Sequence, residues 1–201
     1  MSNRSIHTLL KNWDEECPLT REEAVEVLNL PEEEMDSLME CAYALRTKYK
    51  GKKVSVQLLT NVRSGNCTQN CAYCAQSKDS QAEIEKYKRV SDEKLYGDND
   101  LVDEKHLARH CIGLSGIGFS DEEIEDLADR IREMKKKDTQ ICCSIGFLTE
   151  KQARILKDAG LDRINHNLNS SRSFYPEICT THTYDQRVNN IKMLQSLGFE
   201  I

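Results

Sequence analysis

The sequence predicts an α/β fold, namely an incomplete (β/α) barrel of the TIM type preceded by N-terminal helices. From residue 106 onward, strand-like apolar runs alternate with capped amphipathic helices, which is typical of a parallel sheet covered by helices. The chain has 201 residues and at most five strand-like runs, whereas a closed eight-stranded barrel takes about 250 residues. We therefore expect a barrel that does not close within this chain.

Residues 1–50 are predicted to form an N-terminal helical extension, and residues 51–201 the core, truncated before the barrel closes. Thr20 and Glu23 make a capping box that begins one helix. Pro31 suits the first turn of a second helix, which Gly51 ends.

The core is predicted to contain strands and helices in alternation. Its helices begin at the capping residues Ser120, Thr149 and Thr183, and the last two end near Gly160 and Gly198. The predicted strands cover residues 54–62, 109–116, 140–146, 162–168 and the beginning of a strand at 199–201.

Residues 78–105 are highly charged. Within them, the run Gly-Asp-Asn-Asp at residues 97–100 is predicted to break any helix, because glycine and short polar residues disfavour a helix interior. We expect a local loop there.

The composition excludes several classes of function. A formal charge of −6 gives no electrostatic case for nucleic acid or for an anionic membrane. No run approaches the roughly 20 apolar residues of a membrane span, and the N-terminus lacks the apolar core of a signal peptide. We expect a cytoplasmic protein, in which cysteines are metal ligands or small buried apolar groups.

Cys67, Cys71 and Cys74 have the spacing C-x3-C-x2-C in one short segment. Three thiolates on a four-iron cluster leave one iron open, since four cysteines usually close such a cluster. An open metal position accepts a small chelating molecule. The alternatives are a zinc site, which wants a fourth ligand, and a disulfide framework, which suits small secreted domains.

This three-cysteine motif resembles the signature of the radical S-adenosylmethionine (SAM) enzymes, so the expected barrel is of the radical SAM kind. Three blocks extend the resemblance to the biotin synthase family, in the same order and at the expected spacing. They are SGNCTQNCAYCAQS at residues 64–77, ICCSIG at 141–146 leading into GLDRINHNLN at 160–169, and TTHTYDQR at 180–187. The resemblance runs from about residue 19 to the end.

The resemblance implies a SAM-dependent insertion of sulfur into dethiobiotin to form biotin. In that family a [4Fe–4S] cluster cleaves SAM to a 5′-deoxyadenosyl radical, which removes hydrogen from the substrate. A [2Fe–2S] cluster then donates the sulfur, so the cofactors carry the hard chemistry. Implied partners are dethiobiotin, a flavodoxin or ferredoxin-type electron donor, and a second copy of the chain in a homodimer.

The family's [2Fe–2S] cluster has three cysteine ligands and one arginine. By resemblance Cys111 and Cys142 are the first two cysteines, while the third falls directly after Ile201 and the arginine later. Burial as small apolar residues is the alternative for both. The cysteines expected to be non-ligands are Cys17, Cys41, Cys143 and Cys179.

Asn165, Asn167 and Asn169 share one side of a predicted strand near its C-terminal end, where barrel active sites lie. Their amides both donate and accept hydrogen bonds. The resemblance assigns Asn167 and Asn169 to the SAM ribose, and Asn165 and Asn167 to the substrate. Many relatives carry Asp at position 169. The alternative is an Asn-rich capping loop, and His166 is expected to be structural.

Arg187 resembles a fork for the SAM carboxylate, with a solvated helix residue as the alternative. Tyr73, inside the cysteine loop, is expected to pack near the adenine. No residue is assigned as a catalytic acid or base.

Two rival interpretations remain open. One is another radical SAM enzyme with this barrel, such as a hydrogenase maturase or a methylornithine synthase, which need not keep Cys111 and Cys142. The other is an inactive truncated product that retains the first cysteine loop. We expect the 201-residue chain alone to lack sulfur insertion.

Overall fold

The structure is a computed structural model that describes residues 19–201. The chain divides into two compact units, Met1–Val54 and Ser55–Ile201, which are described separately below. The predictions that concern Cys17 lie outside the described residues.

The first unit contains helix α1 (Arg21–Leu28), a 3₁₀ turn (Glu32–Glu34) and helix α2 (Met35–Lys50). The predicted capping box is confirmed: the Glu23 amide donates to Thr20 Oγ1 at 3.2 Å, and the Thr20 amide donates to Glu23 Oε2 at 2.9 Å. Gly51 ends α2 with a positive φ of 63°, a conformation that glycine adopts without steric cost.

In the described part of the second unit, four parallel strands form one sheet in sequence order. They are β1 (Gln57–Arg63), β2 (Arg109–Leu114), β3 (Ile141–Ser144) and β4 (Arg163–Ile164). This arrangement confirms the predicted incomplete α/β barrel.

Helices follow the strands as the sequence predicts. The predicted caps at Ser120, Thr149 and Thr183 are confirmed, and each forms a capping box with reciprocal hydrogen bonds. The helices are α3 (Asp92–Glu104), α4 (Asp121–Met134), α5 (Glu150–Asp158), the short α6 (Tyr175–Ile178) and α7 (Tyr184–Ser196). No helix within residues 19–201 combines the length and apolar character needed to cross a membrane.

The two faces of the sheet differ in burial. One row, in register across the four strands, consists of Thr60, Ile112, Cys143 and Ile164, all buried. Ile112, Cys143 and Ile164 join one core with the apolar side chains of α4 and α5. The next row, Leu59, Cys111, Cys142 and Arg163, points to the other side of the sheet, which is the inner face of the barrel.

The prediction of a loop at residues 97–100 is wrong, because α3 runs without interruption through them. Leu95 and Val102 are buried on the inner side of this helix. Asn99 is buried beside them and its Nδ2 donates to the Met134 carbonyl at 3.1 Å. Tertiary burial outweighs the weak intrinsic preference of this sequence for helix.

The polar residues of this segment also bind strand side chains. Thr60 Oγ1 donates to Asp98 Oδ2 at 2.6 Å and lies 2.8 Å from His110 Nε2. His110 Nδ1 lies 3.2 Å from Asn99 Oδ1, and Lys94 donates to Asp98 from one turn earlier. The residues that suggested a helix break are therefore the ones that attach α3 to the sheet.

The predicted strand at 162–168 is also too long, since β4 contains only Arg163–Ile164. The Asn165 amide still donates to the Cys143 carbonyl at 2.8 Å, but β3 ends one residue later at Ser144. Asn169 then has a positive φ of 65°, which turns the chain. At 199–201, the structure has a single parallel bridge between Glu200 and Arg163 in place of a strand.

Candidate functional site

The three-cysteine segment is a loop without regular secondary structure that follows β1. It turns away from the strand at Gly65 and Asn66, which have φ values of 69° and 53°. The Gly65 amide donates to Gln76 Oε1, and the Lys78 amide donates to the Gln69 carbonyl at 2.9 Å. The loop therefore closes on itself around the cysteines.

Asn70 attaches this loop to the segment between α6 and α7. Its Nδ2 donates to Thr180 Oγ1 at 2.7 Å, and its Oδ1 accepts from the Thr180 amide at 3.0 Å. The Ala72 amide donates to the Ile178 carbonyl at 2.9 Å. Two of the sequence blocks, 64–77 and 180–187, thus meet in space.

The loop cysteines are all free thiols. Cys71 is buried, whereas Cys67 and Cys74 are half-buried. Cys74 packs against a small cluster that contains Cys71, Tyr175 and Cys179. Burial, followed by the neighbouring Cys179, raises the pKa of Cys71 to about 11. Cluster ligation requires the thiolate, so a bound metal would have to overcome this preference for the thiol.

Cys179 contacts the loop, although the sequence analysis set it aside as a non-ligand. Its Sγ lies 3.8 Å from Cys71 Sγ. Burial alone would raise its pKa, but hydrogen bonds from the Thr181 side chain and the Thr181 and His182 amides outweigh that effect. The pKa of Cys179 is consequently lower than usual.

Cys71, Cys179 and His182 bring three possible metal-ligating atoms within 4.8 Å of one another. However, Arg187 Nε donates to His182 Nε2 at 3.2 Å. The other ring nitrogen, Nδ1, then carries the proton and lies 3.0 Å from Gln69 Oε1. Metal ligation through Nε2 would break the hydrogen bond from Arg187, and ligation through Nδ1 would require the other tautomer and break both hydrogen bonds.

The predicted SAM residues extend from this loop. Asn169 Nδ2 donates to the Tyr73 hydroxyl at 2.6 Å, which joins the cysteine loop to the segment after β4. Asn165, Asn167 and Asn169 are exposed and alternate with buried Ile164 and with His166. The strand that was predicted to place the three amides on one side ends at Ile164, and Asn169 turns the chain, so the three share exposure to solvent and not the face of a strand.

Arg187 connects α7 to the same region. Its Nη1 donates to the Asn167 carbonyl at 3.1 Å, and its Nε donates to the Tyr175 hydroxyl at 2.5 Å. The guanidinium also lies 5.9 Å from the centre of the Phe147 ring. These contacts differ from those of a solvated helix residue and leave a cation beside the exposed amides.

His166 is buried next to this cation. Its ring lies 5.6 Å from that of Phe147. Burial, followed by Arg187, lowers the pKa of His166 to about 4, so the ring is neutral at physiological pH. A packing role is consistent with this environment.

Cys111 and Cys142 form a second thiol pair, on the inner face of the sheet. They are directly opposite each other on the parallel strands β2 and β3. Cys111 Sγ donates to Gln57 Oε1 at 3.0 Å. Burial and then Cys111 raise the pKa of Cys142 to about 11. Arg163 is the next residue in the row and pairs with Glu200 at 2.7 Å.

A parallel α/β sheet with a loop of three cysteines after its first strand defines a class of protein. Residues 61–201 match the radical SAM superfamily, and the chain belongs to that superfamily.

Curated relatives of this chain include biotin synthases. The chain is 39% identical to the biotin synthase of Geobacillus kaustophilus over 181 residues, which cover 90% of this chain and 54% of that protein. It is 40% identical to the biotin synthase of Bacillus subtilis over the same shares. The chain thus spans about half the length of the curated relatives it matches.

Solved structures share the fold. Methylornithine synthase superposes with a TM-score of 0.81 at 16% identity, over 95% of this chain and 55% of that one. The FeFe-hydrogenase maturase of Carboxydothermus hydrogenoformans superposes with a TM-score of 0.78 at 20% identity, over 96% and 46%. At this identity the likeness concerns the fold alone.

Proposed function

We propose that this chain is part of a biotin synthase, a radical SAM sulfurtransferase that inserts sulfur into dethiobiotin to form biotin. The observation that carries the proposal is the Cys111–Cys142 pair, which lies in register on the inner face of the sheet. Similarity to biotin synthases over 90% of the chain supports it. In this proposal residues 51–201 form the radical SAM core and residues 1–50 a helical extension.

The cysteine loop is proposed to hold a [4Fe–4S] cluster through Cys67, Cys71 and Cys74. The donor set fits, because the three thiols are free and share one loop that Asn70 holds in place. When bound, the cluster and SAM supply the radical that removes hydrogen from carbon. The protein's task is to hold both groups and exclude water from them.

The residues around the loop are proposed to bind SAM and substrate. Tyr73 and Asn169 already hydrogen-bond each other, so together they form one wall for the adenosine. Arg187 offers a cation for the SAM carboxylate. Asn167 serves the ribose and, with Asn165, the ureido ring of dethiobiotin, because amides complement groups that both donate and accept.

Cys111 and Cys142 are proposed as two ligands of a [2Fe–2S] cluster that donates the sulfur. Their side chains point to the inner face, opposite the face on which α4 and α5 pack, and Cys111 is only half-buried. We further propose a flavodoxin or ferredoxin-type reductant, a homodimer and a reducing, cytoplasmic setting that keeps the thiols free.

The thiol pair also separates this proposal from its rivals. A radical SAM enzyme of another kind, with the fold of methylornithine synthase or of a hydrogenase maturase, needs the cysteine loop but not Cys111 and Cys142. An inactive product needs neither group of thiols.

Anaerobic reconstitution with iron and sulfide tests the proposal. In the 201-residue chain we expect Mössbauer and EPR signals of a [4Fe–4S] cluster, which the triple variant Cys67→Ala, Cys71→Ala, Cys74→Ala loses. Cys143→Ala, which removes a buried thiol from the outer face, is the matched control and keeps the signals.

The substrate part is tested in a full-length version of the protein. Wild type should form both 5′-deoxyadenosine and biotin from SAM and dethiobiotin, whereas the double variant Cys111→Ala, Cys142→Ala should form 5′-deoxyadenosine only. Biotin formation by that double variant, or by the 201-residue chain alone, would contradict the assignment.

A further inference from the structure

Cys71 and Cys179 form a thiol contact that the proposed chemistry does not use. They are separated by 108 positions in the sequence, yet their Sγ atoms lie 3.8 Å apart. Only 8% of Cys71 and 4% of Cys179 is exposed. No local sequence pattern predicts this contact, which forms only when the chain folds.

The backbone on both sides of this contact is fixed. The Ala72 amide donates to the Ile178 carbonyl at 2.9 Å, and these two residues are the immediate neighbours of Cys71 and Cys179. Asn70 adds hydrogen bonds to Thr180 on the other side. A disulfide has an S–S bond of about 2.0 Å, so the two sulfurs have to approach each other from the 3.8 Å at which they lie between these anchors.

We propose that a small peroxide oxidises Cys71 and Cys179 to an intramolecular disulfide when no cluster is bound. The Cys179 sulfur attacks one oxygen of hydrogen peroxide and the O–O bond breaks. The leaving hydroxide takes the Cys179 proton to form water. The Cys71 sulfur then attacks the sulfenic acid sulfur; the S–O bond breaks, the S–S bond forms, and a second water leaves with the Cys71 proton.

The surroundings favour oxidation of this thiol pair over oxidation of other thiols, and they favour a small oxidant over a large one. Thr181 Oγ1 and His182 Nδ1 lie 3.4 and 3.3 Å from Cys179 Sγ, so polar groups surround the attacking sulfur. Burial of both thiols excludes bulky oxidants such as glutathione disulfide but not a molecule the size of hydrogen peroxide. The resulting sulfenic acid then meets Cys71 at contact distance before a second oxidant arrives.

The disulfide has a consequence that rests on the proposed function. It would remove Cys71 from the three thiols that hold the cluster and leave Cys67 and Cys74 alone. The oxidised chain would then be unable to take up a [4Fe–4S] cluster until a reductant restores the thiols.

Peptide mapping tests the link. The cluster-free 201-residue chain is treated anaerobically with hydrogen peroxide, alkylated and digested with trypsin. Trypsin places Cys67, Cys71 and Cys74 together in peptide 64–78 and Cys179 in peptide 173–187. We expect these two peptides to be linked, to separate on reduction with dithiothreitol, and to show the bond at Cys71 on fragmentation.

Four variants assign the bond. Cys71→Ser and Cys179→Ser should lose the linked peptide, whereas Cys67→Ser and Cys74→Ser, matched controls within the same loop, should keep it. Disulfides only inside peptide 64–78, a link that survives in Cys71→Ser, or oxidised thiols without any link would overturn the proposal. Fragmentation of the linked wild-type peptides identifies the two bonded cysteines even if a variant misfolds.

A second measurement distinguishes this proposal from the proposed function. Linked and reduced chains are incubated with iron and sulfide, and cluster uptake is followed by absorption. Uptake only after reduction supports both proposals. Equal uptake by the linked chain would refute the role of Cys71 as a cluster ligand without contradicting the disulfide.

Discussion

The two groups of thiols are positioned in different ways. Cys111 and Cys142 are placed by backbone register, since they are opposite each other on adjacent parallel strands. Cys67, Cys71 and Cys74 are in an irregular loop that side chains from a distant segment hold. A site on strands depends on the core behind the sheet, whereas a site on a loop depends on a few hydrogen bonds.

The largest expected effect concerns the core behind the sheet. Ile112 is fully buried next to Cys111, on the opposite face. Ile112→Ala should lower the free energy of unfolding by about 3 kcal/mol, because it removes buried methyl groups and leaves a cavity. Urea unfolding measures this change.

The matched control for this prediction is on the same sheet. Leu59→Ala removes a side chain from the inner row that is 68% exposed, so the free energy of unfolding should change by less than about 0.5 kcal/mol. Equal losses for the two variants would show that burial does not differ between the faces.

The second expected effect concerns the loop. Asn70→Ala removes the exposed hydrogen bonds that this side chain makes with the Thr180 hydroxyl and with the Thr180 and Thr181 amides, each of which contributes about 0.5–1.5 kcal/mol. We expect the loss to be local: faster hydrogen exchange in residues 66–78 and lower cluster content, with little change in the strands. Asn70→Asp keeps the acceptor for the Thr180 amide and should recover part of the protection. Faster exchange across β2 and β3 would contradict a local role.

The same contrast explains how far the sequence allowed prediction. The caps at Thr20, Ser120, Thr149 and Thr183 were predictable because the partners of each are three residues apart, as with Thr149 and Gln152. The order of strands and helices was predictable from the periodic spacing of apolar residues along the chain. The helix through residues 97–100 was not predictable, since Asp98 and Asn99 are held by Thr60, His110 and a carbonyl of α4.

The residues of the candidate site differ in the same way, because some could be predicted from the sequence and others could not. The loop cysteines and the facing pair Cys111 and Cys142 could be found from spacing and resemblance. Cys179 could not, because its contact with Cys71 depends on how α6 and α7 pack against the loop, which no local pattern expresses. The short β4 was not predictable either, because the chain leaves the sheet after Ile164 although β3 continues to Ser144.

The third prediction uses pH to probe the segment that leads from the sheet to the residues proposed to bind SAM. Burial and then Arg187 lower the pKa of His166 from 6.5 to about 4. Between these values the unfolded chain binds more protons than the folded one, so stability falls as the pH falls from 6.5 towards 4. At pH 5 this one group should cost about 2 kcal/mol.

Urea unfolding at pH 7 and pH 5 checks this expectation against His166→Leu, which has no titratable group at that position. The variant should lose less stability on acidification than wild type by roughly this amount. Identical pH dependence in the two proteins would show that His166 takes up its proton without unfolding.

The smallest expected effect concerns the side chain that contacts the thiols on the sheet. Gln57 Oε1 accepts from Cys111 Sγ at 3.0 Å, yet Cys111 owes its position to the pairing of β2 with β1 and β3. Gln57→Ala should therefore change the free energy of unfolding by less than about 0.5 kcal/mol, as for other exposed positions. A bifunctional thiol reagent that bridges Cys111 and Cys142 should react at the same rate in variant and wild type. If the rate fell as sharply as cluster content does in Asn70→Ala, the strand site would depend on side-chain contacts as much as the loop site does.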